Sequence, residues 1–185
     1  TVEEQDNDSG LGSVVGVAGR FGRPGFLAAY DIHSGRQIWQ FDTIPEKGWE
    51  GNFTNYTADG EVLNRDTYLE KEALDKYPDS AKFGGGSAWT SPAIDEVTNT
   101  LFFGTGNPSP QMSAESRPGD NLYTVSLVAL DADTGKLKWF YQQVPHDLWG
   151  YDVASPPLIF DTIVNGKVIP AVGQLTLIHI SEPTR

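Results

Sequence analysis

The stretch FLAAYDIHSGRQIWQF, from Phe26 to Phe41, returns as SLVALDADTGKLKWFY from Ser126 to Tyr141, so that Asp31, Gly35 and Trp39 recur as Asp131, Gly135 and Trp139 at a constant offset of 100 residues. A constant offset at three positions means that one supersecondary unit is used twice. Each copy alternates apolar residues, passes through a short turn ending in glycine, and continues into a second apolar run that carries tryptophan, the pattern of a β-hairpin. The turn has a chemical logic. Its aspartate can accept hydrogen bonds from backbone amides two residues on, Ser34 or Thr134 can reinforce it, and glycine supplies the positive φ that closes it. The tryptophan then has a large flat surface to bury against a neighbouring sheet.

Between the copies, SPAIDEVTNTLFFGTGN, from Ser91 to Asn107, reads as another hairpin, with an Asp-Glu-Val-Thr-Asn turn before the strand Thr100 to Gly104. A blade of four short antiparallel strands fits the interval if the polar stretch 45–83 is an insertion. Within it, DTYLEKEALDKY puts Leu69, Ala73 and Tyr77 on one helical face and predicts a short surface helix with a solvated charged face. Repeated hairpins with turn glycines and an end-of-repeat tryptophan mark an all-β fold, a β-propeller, of which roughly two blades are present out of the typical four to eight. Trp39, Trp139, Gly35 and Gly135 therefore define the fold and not a reaction.

Composition narrows the function classes. The 185-residue chain has a net charge of −12 with no block of like charge, which favours solubility and argues against nucleic acid or an anionic membrane as partner. No stretch approaches the roughly 20 apolar residues of a membrane span, and whether the protein associates with a membrane stays open. Zero cysteines exclude thiolate catalysis, thiolate metal sites and disulfides.

Residue types that carry chemistry gather in VPHDLWGYDVASPP, from Val144 to Pro157, and in GGGSAWTSPAIDEVTNTLFFGTGNPSP, from Gly84 to Pro110. With GRPGFLAAYDIHSGRQIWQF and RPGDNLYTVSLVALDADTGKLKWFYQ they form four ordered motifs. On these motifs, from about Val14 to Gln174, the chain resembles the pyrroloquinoline quinone (PQQ) dependent alcohol and sugar dehydrogenases, eight-bladed propellers built from tryptophan-docking repeats. The resemblance implies that residues 1–174 are part of such a propeller domain. It implies that Trp89 forms a floor under the quinone ring, that Ser87 brings a hydroxyl near the cofactor, and that Asn107 ligates a metal through a neutral amide oxygen suited to calcium. Read without the motif, Asn107 is a turn residue before Pro108.

Two positions depart from the family pattern. Arg20 stands where alcohol dehydrogenases of the family have a metal-ligating glutamate, and a cation cannot ligate calcium, although it could donate to quinone oxygens or carboxylates. Gly150 stands where the family has the carboxylate proposed as general base. Asp152, two positions on, would emerge on the same face as residue 150 in an extended chain and is the candidate substitute base, ahead of His146. Asp147 reads as a turn or capping residue. The closing LTLIHISEPTR resembles the translation of a transposon-based sequencing adapter, so residues 175–185 are expected to be a non-native tail. The leading expectation is a periplasmic quinoprotein dehydrogenase that oxidises an alcohol or sugar hydroxyl with PQQ and calcium and passes electrons to a cytochrome or ubiquinone. The alternative is a non-catalytic propeller of the same repeat family, serving as a binding or assembly scaffold.

Overall fold

A computed structural model describes residues 23–111, 114–153 and 155–175. Arg20 and the stretch after Leu175 lie outside the described residues. Eight strands among them pair antiparallel into three sheets. Strand β1 (Phe26–Tyr30) pairs with β2 (Gln37–Asp42). A four-stranded meander follows, β3 (Ala93–Asp95), β4 (Thr100–Gly104), β5 (Ser126–Asp131) and β6 (Leu137–Gln142). Strand β7 (Leu158–Val164) pairs with β8 (Lys167–Gly173). One complete blade thus stands between two hairpins, in agreement with a partial propeller.

The two repeated turns are chemically alike. Asp31 Oδ1 accepts from Ser34 N and Ser34 Oγ, each at 2.7 Å, and Asp131 Oδ1 accepts from Thr134 N at 3.0 Å and Thr134 Oγ1 at 2.7 Å. Gly35 and Gly135 both sit at φ +68°, in the left-handed region that glycine enters without a steric penalty. The tryptophan of the first repeat reaches across to the second. Trp39 donates its indole N–H to Ala132 O at 3.0 Å, and a Cβ added at Gly135 would stand only 2.6 Å from Trp39 Cδ2. The glycine therefore has two duties: it closes its own turn and leaves room for the ring of the preceding unit.

Burial follows the two-residue period of the strands. On one face of the blade Leu101, Phe103, Val128 and Leu130 form a buried cluster against Leu27, Trp39 and Phe41 of the first hairpin. On the opposite face Phe102, Leu127 and Ala129 pack against Val172 of β8. Strands β4 and β5 are consequently covered on both sides, whereas β6 exposes Trp139, Phe140 and Tyr141.

Helix α1 (Thr67–Ala73) lies in the predicted place, capped by Asp66, whose Oδ1 accepts from Tyr68 N at 3.1 Å and Leu69 N at 3.0 Å. Its charged face is not simply solvated, as the pattern suggested. Glu70 pairs with Arg65 and accepts from Gly119 N at 2.9 Å, and Arg65 Nη1 donates to Asp120 Oδ1 at 2.7 Å, with both Arg65 and Asp120 side chains 4% exposed. Leu69, by contrast, is exposed. The helix is held by charge to residues some fifty positions away, which no local periodicity can reveal. The hairpin β7–β8, for which the sequence reading made no assignment, turns through Asn165 and Gly166 at φ +52° and +75°. An Asn-Gly pair between apolar runs is the strong hairpin signal that could have found it.

Candidate functional site

The site is assembled where the loops after the glycine run and after β4 meet the segment beyond β6. Gly86 N donates to Asn107 O at 2.9 Å, Gly106 N donates to Ser87 O at 2.9 Å, and Gly85 bridges to Pro108. These backbone bonds lay GGGSAW alongside GTGNP. Gly106 is the point of convergence. A Cβ built there would stand 3.0 Å from Asp152 Oδ1, 3.2 Å from Ser87 Oγ and 3.3 Å from Trp89 Nε1. Thus Ser87, Trp89, Asn107 and Asp152, drawn from two motifs up to 65 residues apart by number, share one small region.

Asn107 and Asp152 are joined directly. Asn107 N donates to Asp152 Oδ1 at 2.6 Å, and Asn107 Nδ2 donates to Pro108 O at 2.8 Å, which commits the amide nitrogen and leaves the carbonyl oxygen as the group with ligand character. Trp89 is 56% exposed, so its indole is a surface that something planar can cover. Burial pushes the Asp152 carboxyl above the ordinary carboxylate range; the hydrogen bond from Asn107 N opposes this, and the negative charge of Asp147 adds to it. A carboxylate of raised pKa beside an open aromatic face is suited to accepting a proton.

Residues 143–153 do not form a strand, which corrects the extended-chain expectation for residues 150 and 152. Gly150 has φ +74°, and Asp152 N donates to Gly150 O at 3.0 Å, so the chain folds into a tight turn there. Asp147 organises this turn, as its capping role requires: Oδ1 accepts from Trp149 N at 2.9 Å and Oδ2 from Tyr151 N at 2.8 Å. It is buried, and burial raises its pKa against those bonds and the Arg117 charge. His146 faces elsewhere. Its Nδ1 lies 2.7 Å from Gly119 O and 3.4 Å from Glu70, and burial, reinforced by the Arg65 charge, lowers its pKa to about 4. At neutral pH the ring is uncharged, so the contact with Glu70 is not an ion pair and Nδ1–H donates to Gly119 O. It does not join the cluster at Gly106.

Arg117 was not singled out by the sequence, yet it binds the loops together. Fully buried, it donates Nε to Pro110 O at 2.7 Å, Nη1 to Asn121 Oδ1 at 2.6 Å, and Nη2 to Gln111 O at 3.0 Å and Asp147 O at 2.6 Å. The segment after Asn107 is thereby tied to the segment before Asp152. Burial lowers its pKa to about 10, so it remains a cation at neutral pH.

Residues 11–178 match the family model for the PQQ glucose/ethanol/alcohol dehydrogenase β-propeller domain. The chain belongs to this family. It is similar to a quinohemoprotein alcohol dehydrogenase of Comamonas testosteroni, 35% identical over 161 residues, covering 83% of this chain and 21% of that protein. It is similar also to methanol dehydrogenase [cytochrome c] subunit 1 of Methylorubrum extorquens, 38% identical over 144 residues, 75% of this chain and 22% of that protein. Among solved structures, a europium-containing methanol dehydrogenase superposes with a TM-score of 0.62 at 26% identity, over 83% of this chain and 26% of that one. The chain spans about a fifth to a quarter of the length of these relatives.

The residues present fit the family's cofactors in kind. Trp89 offers an open aromatic face, and the Asn107 carbonyl, the Asp152 carboxylate and the Ser87 hydroxyl are hard oxygen donors, the type that calcium-like cations take. Among the described residues there is no group of three or more His, Asp or Glu able to hold a metal by itself.

Proposed function

We propose that this segment belongs to a quinoprotein dehydrogenase that oxidises an alcohol or sugar hydroxyl, using PQQ with a hard cation such as calcium. The observation that carries the reading is the meeting of Trp89, Ser87 and Asp152 around Gly106, with Asn107 bonded to Asp152. Bound PQQ would supply a two-electron acceptor for the hydride leaving the carbinol carbon. Trp89 would support its plane, Ser87 would contribute a hydroxyl at its edge, and Asn107 would direct its amide oxygen to the metal. Arg20, by its place in the motif, is the candidate cation towards quinone oxygens. Asp152 takes the hydroxyl proton: Oδ1 is held by Asn107 N, and the other carboxylate oxygen is the acceptor, made more basic by burial. Export to the periplasm and transfer of electrons to a cytochrome or ubiquinone belong to the same proposal; a relative named for cytochrome c supports the former acceptor.

A second reading is favoured by the 2.6 Å contact itself, which sets the Asp152 carboxylate beside Asn107. There it would serve as an anionic metal ligand, compatible with the europium named for one structural relative. One experiment separates the readings. The complete protein carrying this segment is purified with PQQ and either calcium or a lanthanide, and bound quinone is read by absorbance after gel filtration, metal by elemental analysis, and turnover with a dye and alcohols or aldoses. As base, Asp152→Asn keeps quinone and metal and loses about 10²- to 10⁴-fold in kcat. As ligand, it loses the metal. Absence of quinone from the unaltered protein refutes the dehydrogenase and leaves the scaffold.

A further inference from the structure

Gly150 raises a question that the missing carboxylate alone does not answer. Its φ of +74° disfavours any L side chain, and a Cβ built on it would fall on the Gln111 side chain: onto Nε2, with Cδ 2.7 Å and Cγ 3.3 Å away. The space in which a residue-150 side chain would begin is thus filled by the carboxamide of another residue. The occupant is anchored through its backbone, and its side chain reaches the turn by a long contact. Gln111 Nε2 donates to Trp149 O at 3.5 Å, and its backbone carbonyl accepts from Arg117 Nη2, the same guanidinium nitrogen that donates to Asp147 O. The turn that follows, closed by Asp152 N on Gly150 O, delivers the Asp152 carboxylate to Asn107 N.

We propose that Gln111 is a positioning residue that stands in for a side chain at position 150: its carboxamide fills that space, pins the turn Trp149–Asp152 and so sets Asp152 against Asn107. The positioning claim rests on the proposed role of Asp152, whereas the steric interlock does not. Glutamine is neutral, so the occupant of that space brings volume and no charge. It also makes the two positions interdependent. A side chain cannot enter at 150 while Gln111 keeps its place, and shortening Gln111 takes the lateral support from the turn.

The test uses the complete protein carrying this segment, with Gln111→Ala, Gly150→Ala, the double variant and Gln111→Met. Melting temperature and quinone retention are read for each, and kcat and KM separately for those that turn over. The interlock predicts that Gly150→Ala lowers the melting temperature and that adding Gln111→Ala returns part of the loss, a coupling of at least about twofold in the unfolding constant. Additive effects in the melting data overturn it. For positioning, Gln111→Ala lowers kcat with KM and quinone retention unchanged, while Gln111→Met, which fills the same space, restores kcat; an unchanged kcat, or a loss that Gln111→Met does not restore, overturns the positioning role. If the unaltered protein holds no quinone, the dehydrogenase reading fails and the role in positioning a base falls with it, whereas the interlock is still decided by the melting data alone.

Discussion

Gly135 lends itself to a quantitative test because one substitution disturbs two separable features. At φ +68° an alanine there costs about 1–2 kcal/mol for the left-handed backbone alone. Its Cβ would also stand 2.6 Å from both Cδ2 and Cε3 of Trp39. The indole cannot simply slide aside, since its N–H is bonded to Ala132 O, so overpacking adds about 1–3 kcal/mol and a lost hydrogen bond about 1 kcal/mol. Gly135→Ala should therefore destabilise by about 3–6 kcal/mol. Gly166 is the reference: its φ is +75° and nothing lies within 4 Å of an added Cβ, so Gly166→Ala should cost only the backbone strain. Made on top of Trp39→Ala, Gly135→Ala should likewise fall to the strain value, because the ring that it strikes is gone. Urea midpoints of the four variants in the complete protein give the comparison. If Gly135→Ala costs the same with and without Trp39, or no more than Gly166→Ala, the docking of the ring on the neighbouring turn is not what requires glycine there.

Three further outcomes follow from the site. Trp89→Ala should abolish quinone retention while moving the melting temperature little, because an indole that is 56% exposed contributes modestly to packing. Arg117→Ala should cost about 3–5 kcal/mol, measured by thermal unfolding, since it strips the donors from three buried-loop carbonyls and Asn121 Oδ1; Arg117→Lys should recover only part, having no fork to span them. His146, depressed to about 4 when folded, binds its proton more readily when unfolded, so its contribution to stability is full above about pH 6.5 and is lost as pH falls towards 4. Replacing it with glutamine should flatten the melting-temperature profile in that window.

The parts of this molecule that were legible in the sequence are those in which a residue's task is set by its near neighbours. Asp31 and Asp131 serve amides three residues on, and Asp147 serves those two and four residues on, so the hairpins and the capping role could be read directly. Trp89, Ser87, Asn107 and Asp152 could be gathered only through the resemblance of whole motifs, and the structure does bring them together. What failed was the projection of Asp152 from residue 150 along an extended chain. That projection assumed a strand, and a glycine at positive φ ends one. Gln111, Arg117 and the Glu70–Arg65–Asp120 network were invisible for another reason: each joins segments that only the fold brings together, Gln111 to Trp149, Arg117 to Asp147 and Arg65 to Asp120, and such polar residues look like ordinary surface residues in a linear reading.

The bond from Trp39 to Ala132 crosses 93 residues, and this has a consequence in time. At the usual ribosomal pace of about 5–20 residues per second, the ring waits on the order of 5–20 s before its acceptor has even been made. Through that interval a large apolar side chain at the end of a finished hairpin has no home. The first repeat is thus completed only by the second, whose own ring, Trp139, is 41% exposed.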